Sequence, residues 1–490
     1  MPGCVRKQFF QPDARPAASQ PLAPAADSVR GVTAGRQYAR HGRLYNALVG
    51  QHHRRTWAAP VNAPVFRLAE ARPGGLRPGK VGGGFNSTSL NLQAADGRSY
   101  VLRTVDKDPI RATPPVLRGT FLVNTLRDNI SSTNPYSALV VPLLATAVGV
   151  PHTSPQLFYV RPDDPAFEGD SLRLFRGQLA YLEEKTAVPA TKSSESPVSS
   201  TDAFRAVFAH SGDQIDQDAL LRARLMDAWL GDWDRHPGQW NWAVLQPGRR
   251  LFSPLPKDRD MVFYRLDDGV LGWLIGHLAL RHWTTFDSRY PNLTDLLSNG
   301  HYLDVRGLNG LPRAKFEAVA RAMQEQLSDA VIDQAVHRLP RSAFALEGPR
   351  LIAALEARRA ALPELAAAFY EHLARRPVVG GTAQAEHFVV RRTPNHTLVE
   401  IYNESNGRGQ ELFKRTFLPA ETRIIQLEGL GGDDVFEVVN GSTKNVKSPR
   451  INIYGGTGTD RLLLPKKGGK VRFHQGSNRA GRAYDKLPEE

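Results

Sequence analysis

Side chains that could bind a metal ion and act on a phosphate group are concentrated in one segment of the chain. They are Asp232, Asp234, Arg235, His236, Gln239, Asn241, Asp258 and Asp260. Magnesium prefers oxygen ligands, usually one or two carboxylates together with phosphate oxygens. A further carboxylate can orient the group that attacks the phosphorus atom. The residue types therefore predict a metal–phosphate site.

A helix, a loop and a β-hairpin are predicted to bring these residues together. Apolar residues between Asp216 and Leu230 recur with the spacing of one helical face. Pro237-Gly238 cannot continue a helix, so a loop is expected over Asp232–Gly238. Trp240–Val244 alternates as a strand does, and Leu251–Leu255 would be the returning strand. If the return is extended, the two later aspartates point the same way, because side chains alternate along a strand.

The segment DAWLGDWDRH resembles the catalytic-loop signature of atypical protein-kinase-like enzymes. These are the phosphatidylinositol 4-kinases, the secreted casein-type kinases and the spore-coat kinases. The resemblance implies that Asp234 is the catalytic-loop aspartate that orients the acceptor hydroxyl, with Arg235 and His236 completing the triplet. The alternative is a buried hydrogen-bonded network that ties a loop to a helix.

The same resemblance implies a metal site. Gln239 stands where these kinases have a metal-binding Asn, and Asn241 comes two residues too late for that position. Both are candidate ligands. Asp260 would hold the metal, with Asp258 as the runner-up.

A longer stretch, Gly31 to Leu463, resembles a family of uncharacterised bacterial envelope proteins. The shared motifs stand here as AGRQYARHG, VDKDP, GDWDRHPGQW and PKDRDMVF. Members are often fused to a calcineurin-like phosphoesterase or an outer-membrane barrel. The resemblance implies an envelope location and an association with metallophosphoesterases, but it carries no established activity.

A glycine-rich segment precedes a predicted β-hairpin with an Asp96-Gly97 turn. Kinase-like folds lay such backbone over phosphates, because glycine allows close approach. By the resemblance, Arg103 falls where the phosphate-anchoring Lys would lie, and Lys107 could take that role instead. Asp128 is the candidate acidic partner of the anchoring cation. The glycines assigned to the nucleotide are Gly82, Gly83 and Gly84.

Composition limits the partners. The chain has 490 residues and a net charge of +14, which favours anionic partners such as a nucleotide or another phosphorylated small molecule. The basic residues are spread out, so no dedicated nucleic-acid site is expected. No apolar run is long enough to span a membrane.

Cys4 heads a Pro/Ala-rich tether, which is expected to be disordered over residues 1–30. This cysteine resembles the lipid-anchored residue of a bacterial lipoprotein whose signal peptide is missing. Otherwise the protein would be cytoplasmic.

The composition changes after residue 376. Residues 382–470 alternate apolar and polar side chains between Gly/Asn turns, which predicts a separate all-β domain, with a disordered tail over 471–490. GGTGTDRL matches the turn that binds calcium in β-rolls, and GLGGDDVF matches it in part. Asp434 and Asp460 are therefore calcium candidates. The alternative is that they cap turns between strands.

The predicted fold class is α+β: a bilobal, atypical kinase-like main domain followed by a small all-β C-terminal domain. The main domain covers 31–376, with a small lobe at about 31–185 and a large lobe at about 201–376. The leading functional prediction is a phosphotransferase that uses Mg²⁺ and ATP. One alternative is a non-catalytic scaffold with an envelope protein as partner. Another is a metal-dependent phosphohydrolase that uses Asp232, Asp234, His236 and Asp260.

Overall fold

The computed structural model describes residues 8–82, 88–111, 113–120, 122–185, 196–245, 250–278, 285–403, 409–440, 448–465 and 470–476. The protein has an N-terminal sheet, a helical region with a small sheet, and a C-terminal β region. The α+β class and the C-terminal β-rich region are thus confirmed. No helix of the described ranges is long and apolar enough to cross a bilayer.

The N-terminal sheet has seven strands in the order β1-β2-β6-β7-β5-β4-β3. Its strands are β1 (Ser28–Val32), β2 (Val61–Phe66), β3 (Leu76–Gly82), β4 (Ser89–Ala94), β5 (Ser99–Thr104), β6 (Gln156–Val160) and β7 (Leu179–Glu184). The helices of this part of the chain are α1 (Arg43–Val49), α2 (Arg54–Ala58), α3 (Leu122–Asn129) and α4 (Ser137–Ala147).

Strands β3, β4 and β5 form an antiparallel meander. Gly82 is the last residue of β3, so the glycine run lies between β3 and β4, while Gly83 and Gly84 fall outside the described residues. Leu102 of β5 packs into an apolar cluster on one face of the sheet. Arg103 is on the opposite face, because neighbouring side chains alternate, and it stands across from Tyr181 of β7.

Residues 8–30 are not the disordered tether expected from their composition. Gln11 is only 4% exposed and donates from Nε2 to the carbonyl oxygen of Thr33 at 2.8 Å. The Tyr159 hydroxyl donates to Asp13 at 2.8 Å. These contacts join the segment to the small lobe, and the second spans 146 residues of chain, a pairing that composition cannot indicate. Cys4 lies outside the described residues.

The large lobe is mainly helical. Its helices are α5 (Ser200–Ala209), α6 (Gln217–Leu230), α7 (Val270–Leu278), α8 (Leu293–Leu296), α9 (His301–Gly307), α10 (Arg313–Gln326), α11 (Asp329–Val336), α12 (Arg341–Ala360) and α13 (Leu362–Ala374). A small sheet in the order β8-β10-β11-β9 contains β8 (Val198–Ser199), β9 (Gln214–Ile215), β10 (Trp240–Val244) and β11 (Leu251–Pro256).

Helix α6 and the β10–β11 hairpin match the sequence prediction. Asp216 caps α6 by accepting from the Ala219 N–H at 3.1 Å. Gly231 ends the helix at φ +73, a left-handed conformation that glycine adopts without steric cost. The hairpin strands pair antiparallel, with Asn241 opposite Leu255. The loop between helix and hairpin is thereby fixed at both ends.

The C-terminal region is a stack of coils. Its strands are β12 (Val378–Gly380), β13 (His387–Arg392), β14 (Thr397–Tyr402), β15 (Glu411–Phe417), β16 (Ile424–Glu428), β17 (Val435–Asn440), β18 (Arg450–Tyr454), β19 (Arg461–Leu463) and β20 (Val471–His474). Strands β12, β16, β18 and β20 are parallel neighbours, and so are β13, β17 and β19. The region therefore starts slightly before the expected residue 382, and the expected tail begins with strand β20.

Candidate functional site: a cleft between the sheet and the hairpin

A cleft of about 880 Å³, part of it open to solvent, lies between the N-terminal sheet, helix α4 and the chain that follows β11. Its sheet side carries cations and an acid, and its opposite side carries two aspartates. The charged residues that line it include Arg103, Lys107, Glu183, Lys257, Asp258 and Asp260. Cations predicted to contact phosphate and acids predicted to bind metal thus share one cavity.

Arg103 bridges the two sides of this cleft. Its Nη1 lies 2.9 Å from Asp258 Oδ2, and its Nε lies 3.8 Å from Glu183 Oε2. Burial would raise the pKa of Asp258, but the positive charges of Arg103 and Lys107 outweigh it and hold that pKa below its ordinary value. Asp258 is therefore an anion at neutral pH, as a metal ligand must be.

Lys107 forms a second ion pair across the cleft, with Asp260. Burial lowers the pKa of Lys107, and the negative charges of Asp258 and Asp234 oppose that shift only in part. The neighbouring Asp106 fixes this loop, because it accepts from Tyr38 Oη at 2.7 Å and from the Lys107 N–H at 2.9 Å. The VDKDP motif thus holds a half-buried cation in place.

The backbone that carries Asp258 is held from both sides. Asp258 has φ +50, a left-handed conformation that costs a non-glycine residue on the order of 1 kcal/mol. Before it, the Lys257 N–H donates to the Gln239 carbonyl oxygen at 2.9 Å. After it, Arg259 donates to Asp227 at 2.9 Å. These bonds hold Asp258 at the cleft in spite of the strain.

Arg235 lies in the interior rather than in the cleft. It is fully buried and donates to Asp227 at 3.1 Å, to the Lys257 carbonyl oxygen at 2.7 Å and to the Gln239 carbonyl oxygen at 3.1 Å. Its guanidinium also stacks over Trp240, 4.5 Å from the ring centre. Arg235 does not line the cleft; its bonds join α6, the hairpin and the strand that leads to Asp258, which is the arrangement of a positioning residue.

Asp234 and His236 lie beside the cleft without lining it. Asp234 Oδ1 accepts from Asn299 Nδ2 at 3.3 Å and lies 3.9 Å from His236 Nε2. His236 Nδ1 accepts from the Gly238 N–H, so this ring caps the short turn after it. Asp232 is buried, and burial raises its pKa to about 7 although Arg235 opposes the rise. Asp234, which is partly exposed, is thus the carboxylate of this loop best able to meet a substrate.

Gln239 and Asn241 do not line the cleft. The main chain of Gln239 serves structural hydrogen bonds, and Asn241 belongs to the central strand of the small sheet, paired with Leu255 and Ser199. A role for these two amides as ligands of the same metal as Asp258 and Asp260 therefore stays a prediction. The signal that favoured them was their spacing from Asp234 along the chain.

The acidic partner of Arg103 was misassigned from the sequence. Asp128 instead accepts from Arg54, at 2.6 and 2.7 Å, and from Tyr45 Oη, at 2.9 Å. Glu183 is in reach of Arg103 because β7 lies antiparallel beside β5, in a register that pairs Glu183 with Val101, two residues before Arg103. Such a register is invisible in the local pattern of either strand.

The cleft acids suit a hard cation. In the described parts of the chain, no three His, Cys, Asp or Glu side chains are grouped as metal ligands. Asp258 and Asp260 supply two carboxylates, and each now pairs with a cation. Two carboxylates completed by phosphate oxygens and water are a usual environment for magnesium in phosphate-binding enzymes. The donor set therefore fits Mg²⁺ together with a phosphorylated ligand.

Comparisons with known proteins add little. No family model and no curated protein matches the chain. Among solved structures, it is similar to CtkA, a proinflammatory kinase of Helicobacter pylori, with 12% identity and a TM-score of 0.33 over 61% of this chain and 96% of that one. A TM-score this low carries no argument, so the strand order and the cleft residues carry the functional inference.

Proposed function

We propose that the cleft binds a nucleoside triphosphate with magnesium and that the protein transfers a phosphoryl group from it. The observation that carries this proposal is the pair of ion pairs across the cleft, Arg103 with Asp258 and Lys107 with Asp260. Each joins a cation near the sheet to an acid that follows the hairpin. The cations proposed to contact the phosphates therefore face the acids proposed to hold the metal.

The order of elements along the chain supports the same proposal. A glycine run separates the first two strands of the meander, and Arg103 is on the third strand. Protein kinases place a Gly-rich loop and the phosphate-anchoring cation in this order, followed by a catalytic-loop aspartate and then a metal-binding aspartate. Asp234 and Asp260 take the last two places in this chain.

The charges of the cleft favour a metal–nucleotide complex over a bare anion. A free phosphate would meet the carboxylates of Asp258, Asp260 and Glu183 as well as the cations. A ligand that brings both a divalent cation and phosphate oxygens would satisfy the acids and the cations together. In this arrangement, Asp258 and Asp260 would hold the metal, and Arg103 and Lys107 would contact the phosphates.

In the proposed reaction Asp234 would accept the hydrogen bond of the acceptor hydroxyl. Asn299 donates to Asp234 Oδ1 at 3.3 Å. The negative charge of Asp234 also opposes the lowering of the Lys107 pKa, which supports a place for Asp234 beside the cleft. Magnesium, when bound, would neutralise charge on the transferring phosphoryl group. Asp234 and the cations would otherwise act by positioning, which is the main contribution of protein to this chemistry.

A non-catalytic scaffold is the second candidate, and one observation favours it. The same two ion pairs join the two sides of the cleft directly, which is also what a purely structural link between the lobes requires. The phosphohydrolase alternative has less support, because Asp232, one of its four residues, is 1% exposed and does not line the cleft.

Calorimetric titration of the full chain with ATP and Mg²⁺ tests the proposal. Wild-type protein should bind only when magnesium is present, and Asp260→Asn should abolish binding while keeping the side-chain shape. Asp163→Asn is the matched control, because Asp163 also pairs with an arginine, at 2.7 Å, but lies outside the cleft. No binding at millimolar nucleotide would refute the proposal and leave the scaffold as the better account.

Activity assays distinguish a phosphotransferase from a phosphohydrolase. Asp234→Asn should bind Mg·ATP like the wild type but should lose ADP production in the presence of an acceptor. Phosphate release from a model ester with no nucleotide present would instead indicate a phosphohydrolase.

A further inference from the structure

Three turns of the C-terminal coils have the same form. They run Gly381–Glu386, Gly429–Asp434 and Gly455–Asp460, so each begins with glycine and ends with an acid. The sequence motif identified only the last two. The first belongs to the same array, because the strands on either side of it, β12 and β13, pair parallel with β16 and β17. The β14–β15 hairpin separates it from the second turn along the chain.

These turns stack directly on one another. The Gly381 N–H donates to the Glu428 carbonyl oxygen at 2.8 Å, and the Gly429 N–H donates to the Tyr454 carbonyl oxygen at 2.8 Å. Gly431 and Thr457 form an isolated parallel bridge. Residues that are far apart along the chain therefore occupy equivalent positions in adjacent coils.

The aspartates that end the second and third turns each bond to the backbone of the preceding turn. Asp434 Oδ1 accepts from the Glu386 N–H at 2.9 Å, and Asp460 Oδ1 accepts from the Asp434 N–H at 3.2 Å. One oxygen of each aspartate is thus used to tie neighbouring coils together. The other oxygen, Oδ2 of Asp434 and of Asp460, is buried and has no hydrogen-bond partner among the described residues.

The unpartnered oxygens lie against the glycines that open their turns. A Cβ atom on Gly429 would lie 2.1 Å from Asp434 Oδ2 and 2.4 Å from the Gly455 carbonyl oxygen. A Cβ atom on Gly455 would lie 1.8 Å from Asp460 Oδ2. Glycine is required so that carboxylate and carbonyl oxygens can converge here. Buried oxygens that converge with no donor are costly unless a cation or a proton lies among them.

We propose that a calcium ion binds between the second and third turns, held by Asp434, Asp460 and turn carbonyl oxygens that include that of Gly455. Calcium takes carboxylate and backbone carbonyl oxygens in flexible geometry. In a site of this composition the two carboxylates are completed by backbone carbonyl oxygens and water.

The first turn does not contribute a second ion. Glu386 Oε2 accepts from the Thr382 N–H at 2.8 Å, and Oε1 accepts from the Thr382 hydroxyl. Both of its oxygens are therefore occupied, in contrast to the free Oδ2 atoms of Asp434 and Asp460. One ion per chain is expected.

The test is a calcium titration of the full chain by calorimetry, with thermal melting in calcium, in magnesium and in a chelator. One ion should bind with a dissociation constant of about 0.1–1 mM, the range of extracellular calcium modules. The melting temperature should rise with calcium but not with equal magnesium. Wild-type protein that binds no calcium at millimolar concentrations, or that responds equally to magnesium, overturns the proposal without the need for any variant.

Asp434→Asn and Asp460→Asn locate the ion. Each should weaken calcium binding by about tenfold or more, because a charged ligand is lost. Each should also melt in chelator no lower than the wild type, since the new amide can donate where the carboxylate oxygen has no partner. Asp433→Asn is the matched control: Asp433 is exposed and accepts from the Thr459 N–H at 2.7 Å, which an Asn can also do. Unchanged binding in both test variants would overturn the assignment.

Discussion

Replacement of Arg235 by Met tests whether the D-R-H motif is structural at its centre. The substitution keeps most of the side-chain volume and removes a charge that is fully buried, together with its bonds to Asp227 and to two carbonyl oxygens. Breaking a buried ion pair by removing one partner costs about 3–5 kcal/mol, because the other charge is left uncompensated. Arg259 still donates to Asp227 at 2.9 Å, so the lower half of that range is expected.

Urea unfolding followed by tryptophan fluorescence measures the loss. Arg205→Met is the matched control, because Arg205 forms an exposed pair with Asp202 at 3.1 Å. Such a surface pair is worth about 0–1 kcal/mol. Arg235→Met should therefore lower the midpoint far more than Arg205→Met. A loss below about 1 kcal/mol in Arg235→Met would refute the structural reading. Lost nucleotide binding at full stability would return Arg235 to the catalytic residues.

Three further predictions follow from the small lobe. Burial raises the pKa of Asp106 to about 7, so the folded state holds a proton that the unfolded state releases. The free energy of unfolding should therefore fall as the pH rises from about 4 to 7. Asp106→Asn should remove this dependence of the melting temperature on pH. Burial raises the pKa of Asp128, but hydrogen bonds from His41 and Arg54 outweigh it and hold that pKa below its ordinary value. The ionised Asp128 therefore adds to the free energy of unfolding at neutral pH, and this stabilisation should be lost as the pH falls into the acidic range. Asp128→Asn should make stability depend less on pH in that range. Arg103→Met should weaken Mg·ATP binding by about tenfold or more. Arg103→Lys should weaken it less, because Lys keeps the positive charge although it lacks the forked guanidinium that reaches two carboxylates. Equal loss of affinity in both variants would count against a role for the charge.

Several secondary-structure elements can be predicted from the sequence because they depend on residues close together along the chain. Asp216 and Gly231 mark the two ends of α6, and the alternation of Trp240–Val244 marks a strand. The alternating pattern after residue 376 indicates a β region, and two of its acidic turns carry a recognisable motif. Each of these signals depends only on neighbours within a few positions, so the helix, the hairpin and the two turns are predictable from the order of residues alone.

Partner choice in the site was decided by tertiary structure. Arg103 pairs with Asp258 rather than with Asp128, since strand register and the hairpin bring together residues more than a hundred positions apart. Arg235 points into the interior because buried Asp227 and two carbonyl groups need its fork of donors. No periodicity along the chain reports which of several charged groups will be buried.

The first of the three acidic turns was likewise identified only from the tertiary structure. Gly381–Glu386 departs too far from the calcium motif to be recognised, and a hairpin separates it from the other two turns. Stacking of parallel coils places it directly beside the second turn. The order of residues predicts the helix, the hairpin and the acidic turns that carry the motif. The three-dimensional packing decided which oxygens converge, because convergence depends on how coils and lobes meet and not on the order of residues within them.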